Sequence, residues 1–182
     1  MRALVVYESM FGNTRDVAQA VARGLGPYGT VTTEDAANAP LALRARFDLV
    51  VVGGPTHAFG MSWPRTRADA ATRRDAAMVT GTEVGIREWL VALRPNPEAR
   101  MCAAVFDTRV DLPRVPGSAA RHAYRAMARH GFAMLVPPES FHVHGTDGPL
   151  VAGELARAEA WGAQLGRAMA RHAASRPRAA SR

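Results

Sequence analysis

Ser9-Met10-Phe11-Gly12-Asn13-Thr14 decides the reading of this chain because of what stands on either side of it. Before it runs the apolar, β-branched stretch Ala3-Leu4-Val5-Val6-Tyr7, and from Arg15 onward apolar residues recur at helical spacing. A short loop between a buried strand and a helix start leaves amide N–H groups pointing outward. The helix dipole adds partial positive charge there, so the place suits an anion. Ser9 and Thr14 bring hydroxyl donors, Gly12 permits close backbone approach, and Asn13 is able to donate or to cap. One tight loop without a second glycine finger fits a phosphate monoester better than a pyrophosphate. The same residues also suit a plain strand–loop–helix connection in which the hydroxyls only cap the helix.

Working outward, Val17, Ala18, Val21, Ala22 and Leu25 share one face of a helix expected over Arg15 to Leu25. It ends in Gly24-Leu25-Gly26-Pro27-Tyr28-Gly29, which matches the dinucleotide fingerprint GxGxxG letter for letter. That fingerprint needs a strand before it and a helix after it, whereas this one closes a helix, so it reads as a C-cap and turn. A second strand is expected over about Gly29 to Thr33 and a third over Phe47 to Gly53. The third is an apolar run without alternation, as in a strand buried on both faces. Strands separated by helices indicate βαβ units and a parallel sheet.

The loop expected after the third strand, Gly54 to Pro64, holds Phe59, Met61 and Trp63 among glycines and prolines. A fourth strand is expected over Met101 to Phe106, followed by a loop of Asp107, Thr108, Arg109 and onward to Pro113. In a doubly wound sheet, ligands sit at the carboxyl ends of the strands, where the strand order switches. The loops after strands one, three and four therefore converge on one crevice. The long stretch between Pro64 and Arg100 is expected to hold two helices. The first carries Arg65, Arg67, Arg73 and Arg74, a solvated face or a site for an NADPH phosphate or an acidic partner. The second buries Ile86, Trp89, Leu90 and Leu93. A further helix runs from Gly117-Ser118 to about His130. The fifth strand starts near Phe132, breaks at Pro137-Pro138 and resumes over Glu139 to His144. His142 and His144 share a face there, but with no third ligand nearby they read as surface or hydrogen-bonded histidines rather than a metal site. The last helix carries Leu155, Ala158, Gly162, Leu165 and Met169 and is expected beside the first.

Ser9-x-x-Gly12-Asn13-Thr14 directly after the first strand resembles the phosphate loop of the flavodoxin-like family, where it holds the ribityl phosphate of FMN. Gly54-Pro55-Thr56-His57 followed by Phe59-Gly60 resembles that family's second flavin loop. The resemblance implies a three-layer α/β sandwich with a five-stranded parallel sheet in the order 2-1-3-4-5. It implies an FMN site of Ser9, Met10, Phe11, Gly12, Asn13 and Thr14 at the phosphate, Pro55, Thr56, His57, Ala58, Phe59 and Gly60 at the ring, and Asp107, Thr108 and Arg109 closing it. The expected function is then an FMN-dependent oxidoreductase or electron-transfer protein, served by NADH or NADPH and by a small acceptor or redox partner protein. One departure matters. Many flavodoxins stack a tyrosine on the outer flavin face, and here no aromatic occurs between Phe106 and Tyr124. That feature keeps open a non-redox binding module on the same scaffold, with weak or no FMN binding.

The 182 residues suffice for one domain, expected over 1–170 with a basic tail over 171–182 that lacks acidic residues and is expected to be disordered. Cys102 is the only cysteine, which excludes an intrachain disulfide and a cysteine metal cluster and leaves a buried, inert thiol. The net charge of +7 favours acidic partners, yet no helix-turn-helix, zinc-finger or aromatic RNA-binding pattern accompanies it, so specific nucleic-acid recognition is not expected. No stretch is apolar enough for a membrane span, and Met1 leads straight into a strand, so a cytoplasmic protein is expected, free to form oligomers.

Overall fold

The structure is a computed structural model that describes residues 1–43, 47–57, 60–73, 84–96, 101–112 and 117–175. The first strand, β1 (Arg2–Tyr7), pairs in parallel with β2 (Thr30–Asp35) on one side and with β4 (Leu49–His57) on the other. Beyond β4 lies β7 (Cys102–Val110), and beyond that a final strand in two pieces, β8 (Ala133–Met134) and β9 (Glu139–Val143), all parallel. Counting only the long strands, this is the expected order 2-1-3-4-5. Two short strands, β3 (Ala42–Leu43) and β6 (Arg94–Pro95), pair with each other away from the main sheet.

Both faces of the sheet are covered, which is why the central strands β1, β4 and β7 carry apolar runs without alternation. Leu4, Val6, Val50, Val52, Ala103 and Val105 point to one face and meet α3 (Ile86–Ala92) and α4 (Ala119–Arg129). Ala3, Val5, Leu49, Val51, Cys102 and Ala104 point to the other and meet α1 (Asn13–Leu25) and α5 (Glu154–Ser175). On that second face Phe106, Phe141 and Trp161 form a mutual edge-to-face trio with centroids 5.9 to 6.1 Å apart. Gly53 makes room for it, since a Cβ there would lie 2.0 Å from the Phe106 ring.

The GxGxxG stretch is helix end and turn. Gly24 and Leu25 finish α1, and Gly26–Tyr28 form a single 3₁₀ turn. Gly24 serves packing, because a Cβ on it would stand 2.0 Å from the carbonyl oxygen of Glu159 in α5. Gly162 of α5 returns the contact at 2.2 Å from the Val21 carbonyl, so the two helices touch backbone to backbone.

Several expectations need correcting. The third strand does not stop at Gly53: β4 continues through Gly54, Pro55, Thr56 and His57 and folds back as a hairpin onto β5 (Gly60–Met61), with Thr56 facing Met61 and His57 facing Gly60. Pairing with β1 ends at Gly53, so a proline at 55 interrupts no ladder on that side. Likewise Asp107, Thr108 and Arg109 are not a loop. They extend β7 to Val110, paired to β4 on one side and β9 on the other. The two-piece fifth strand is as expected: Met134 faces Ala103 and Glu139 faces Phe106, so five steps along one strand match three along its neighbour, and Pro137-Pro138 sit in the excess. The first helix of the long connection, α2 (Pro64–Arg73), contains Arg65, exposed as expected for a solvated face, and Arg67, which is fully buried. Arg74 lies outside the described residues. Helix α5 extends to Ser175, past the boundary expected at 170. Among the described residues no helix is long and apolar enough to cross a membrane.

Candidate functional site

At the carboxyl edge of the sheet, between the ends of β1, β4 and β7, lies a cleft of about 240 Å³. Its anion-facing end is made of backbone. Gly12 is the N-cap residue of α1, with φ 89° in the left-handed region that favours glycine, and as a glycine it brings no side chain to cap the helix. The first inward amide is that of Asp16, which donates to the Gly12 carbonyl at 3.0 Å. The amides of Asn13, Thr14 and Arg15 thus precede the helical ladder, where the dipole is positive. The Arg15 guanidinium comes close to Gly12, with Nη2 3.4 Å from the place a Cβ would take.

Two of the side chains expected to donate here, Thr14 and Asn13, are engaged elsewhere. The Thr14 hydroxyl bonds the Thr108 hydroxyl at 2.7 Å, tying the loop to β7 in a buried contact. Asn13 Nδ2 donates to the Asp147 carbonyl at 3.0 Å, which docks the turn over 145–149 against the loop. In that turn Gly148 has φ 97°, and a Cβ on it would lie 2.5 Å from the Asn13 amide. Asn13 therefore does not cap. Ser9 is buried beneath the loop, while Met10 and Phe11 line the cleft.

At the other end, Pro55, Thr56 and His57 of β4 and Thr108 and Arg109 of β7 form the wall. Asp107, expected to close the site, is fully buried and does structural work instead. Its Oδ2 accepts from Thr56 Oγ1 at 2.8 Å, from Ser118 Oγ at 2.6 Å and from the Ala120 amide at 3.0 Å. Thr56 Oγ1 in turn accepts from the Ala119 amide at 2.9 Å, so the pair fastens the start of α4 to the two strand ends. Gly60 belongs to the hairpin, with the His122 ring 3.7 Å from its Cβ position. Ala58 and Phe59, expected at the ring, lie outside the described residues.

Val110, expected in the loop that closes the crevice, stands in its wall as the last residue of β7, while two wall residues went unforeseen: Val143 and Thr146. Val143 follows from the restart of β9. Thr146 comes from a stretch that the sequence marks as a turn without showing where it lands. The restart is held firmly. Arg157 reaches Glu139 and the Ser140 carbonyl, pairs Glu154 through Nη2 at 2.6 Å, and lies 4.4 Å over the Phe141 ring. Burial alone raises the Glu154 carboxyl, but hydrogen bonds from Arg157 and the His142 amide outweigh it and hold the group below its ordinary value. Among the described residues no three His, Cys, Asp or Glu side chains gather as a metal site.

The model of the flavodoxin family matches residues 5–76, a stretch that includes both the anion-facing loop and the hairpin. Solved structures extend the likeness to nearly the whole chain. A flavodoxin from the domain Archaea is 18% identical with a TM-score of 0.62, over 93% of this chain and 99% of that one. The Streptococcus pneumonia TIGR4 flavodoxin is 18% identical with a TM-score of 0.64, over 94% and 99%. The rubredoxin oxygen:oxidoreductase from the anaerobe Desulfovibrio gigas is 16% identical with a TM-score of 0.59, over 96% of this chain and 37% of that one. No curated protein matches the sequence.

Proposed function

We propose that this chain, flavodoxin-like in fold, binds FMN in the cleft and acts as a flavin oxidoreductase or electron-transfer protein. The observation that carries the reading is the convergence of an uncapped helix start with the ends of β4 and β7 on one cleft at the strand-order switch. The donor set fits a phosphate monoester: the amides of Asn13 to Arg15, led by a glycine in the left-handed region, with an arginine beside it. Bound FMN would supply the hydride and electron chemistry, and the protein would bind and orient it.

The residues divide the work. Gly12 to Thr14 bind the phosphate, with Ser9, Met10 and Phe11 shaping the floor. The Thr14–Thr108 bond holds that floor to β7. Pro55, Thr56, His57 and Gly60 shape the ring end, and Arg109 offers a cation at its edge. Asp107 keeps the start of α4 in place. A pocket of about 240 Å³ is smaller than the common range of about 300–1,000 Å³, so a three-ring ligand would lie partly outside it. On the β7 and β9 side the wall includes the aliphatic Val110 and Val143 and, among the described residues, no aromatic residue. An outer face without an aromatic stack leaves room for a small donor such as NADH or NADPH, which favours an enzyme over a dedicated carrier.

The same missing stack is what favours the second reading, a binding module with little affinity for flavin. A visible spectrum of the purified protein, followed by calorimetric titration with FMN, separates the two. Flavin absorbance or saturable FMN binding, tighter than riboflavin binding, is the expected result. A colourless protein that takes up neither FMN nor riboflavin overturns the flavin reading.

A further inference from the structure

Next to the cleft, but outside its lining, charged side chains are gathered where water does not reach. Glu8 is 2% exposed, Ser62 1% and Arg67 0%. Glu8 is the residue between β1 and the anion-facing loop, and Ser62 is the residue that follows β5. The Ser62 hydroxyl donates to Glu8 Oε1, and Arg67 Nη1 donates to Ser62 Oγ at 2.8 Å. The other side of Glu8 accepts the first amide of α3, Ile86, at 2.9 Å. Arg67 Nη2 reaches Glu88 Oε2 at 2.9 Å, and the same oxygen accepts the Gly85 amide at 2.9 Å. The fit is tight, since a Cβ on Gly85 would stand 2.3 Å from Glu8 Oε2 and 2.6 Å from Arg67 Nη1.

Apolar side chains of similar volume often fill such a space with equal or greater stability. What hydrocarbon does not supply is direction. Each hydrogen bond here fixes one backbone segment relative to another, and the run Arg67 to Ser62 to Glu8 donates in one sense throughout. Ser62 is the only one of the three on the hairpin side of the set. From the outside Arg87 holds the same strand, donating to the Met61 and Ser62 carbonyls at 2.7 and 3.0 Å.

We propose that Glu8, Ser62 and Arg67 are positioning residues: they fix the β4–β5 hairpin relative to the end of β1 and so set the grip of the cleft's hairpin end on a flat ring, while the anion end is independent of them. The inference rests on the reading of the cleft as an FMN site. None of the three lines the cleft, so they act through the hairpin.

The test uses the full chain and Ser62→Ala, which removes only the hydroxyl that links the hairpin to Glu8. Riboflavin and inorganic phosphate probe the two ends separately by titration. Loss of one buried hydrogen-bonded link should weaken riboflavin binding about tenfold and leave phosphate binding within about twofold. A merely structural role would weaken both ligands together, and that result, or unchanged riboflavin binding, overturns the proposal. Arg67→Met serves as the second variant and should show the same split.

If the wild-type chain binds phosphate but neither riboflavin nor FMN, the flavin reading fails on its own. The clamp is then judged by amide hydrogen exchange in the unliganded proteins. Faster exchange in Ser62→Ala confined to Thr56, His57, Gly60 and Met61 supports it. Unchanged exchange there, or a uniform rise across the sheet, overturns it.

Discussion

At one end of the cleft the binding surface is backbone: a glycine in the left-handed region and the first amides of a helix, which precede its hydrogen-bond ladder. At the other end the surface is a hairpin whose place is set by an arginine, a serine and a glutamate, all buried. The first end needs few residues, close together in sequence, and is stabilised by the geometry of the helix itself. The second draws on Glu8 just after β1, Ser62 just after β5, Arg67 in α2 and Glu88 in α3. A backbone site tolerates loss of its side chains, whereas a hairpin held by buried charges does not.

That contrast is most exposed by Arg67→Met. Removing the cation leaves Glu8 and Glu88 without their buried partner, and breaking such a set costs about 3–5 kcal/mol. Urea denaturation of the variant should show that loss, and a change below about 1 kcal/mol would mean that the charges are not the hairpin's support. Thr14→Val at the opposite end leaves the buried Thr108 hydroxyl without its partner. It should cost about 1–3 kcal/mol by the same measurement and still leave phosphate binding in place, because the amides remain. Asn13→Ala removes one bond to the turn over 145–149 and should cost about 0.5–1.5 kcal/mol, with faster amide exchange at that turn.

The smallest effect is one of pH. Burial outweighs the hydrogen bonds from Ser62 and Ile86 and raises the Glu8 carboxyl above its ordinary value, so the folded chain holds this proton more tightly than the unfolded one. Stability from this group therefore falls as pH rises from the ordinary glutamate value through the raised one. Glu8→Gln lacks that fall. Its stability relative to wild type should be better at pH 8 than at pH 5, by chemical denaturation at both. A constant difference would show that Glu8 titrates normally.

The same division explains what the sequence disclosed. Ser9 to Thr14 is legible because its meaning is local: an apolar run, a glycine with hydroxyl neighbours, then helical periodicity. The strands are read from similarly local runs, whereas their order comes from the resemblance of the two loops to the flavodoxin-like family, and Pro137-Pro138 marks the broken strand because proline cannot continue a ladder. Gly54-Pro55-Thr56-His57 and Asp107-Thr108-Arg109 read as loops because their residue types are those of loops. They extend as strands because each supplies the other's ladder, a relation between positions some fifty residues apart. Arg67 reads as part of a solvated arginine face because charge ordinarily predicts exposure. Its partners, Ser62 at five residues and Glu88 at twenty-one, share no periodicity with it that would announce burial. Asp107 misleads in the same way, a polar residue whose three donors come from β4 and from α4.

The close backbone approach of α1 and α5, Gly24 against Glu159 and Gly162 against Val21, also bears on how the anion-facing loop is seated. Helix α1, whose first amides face the cleft, lies against α5, an element remote from it in the sequence. A variant cut before Glu154 keeps the anion-facing loop but lacks the helix against which Val21 and Gly24 rest. The seat of the loop's helix is thus non-local even though the loop itself is read from six consecutive residues.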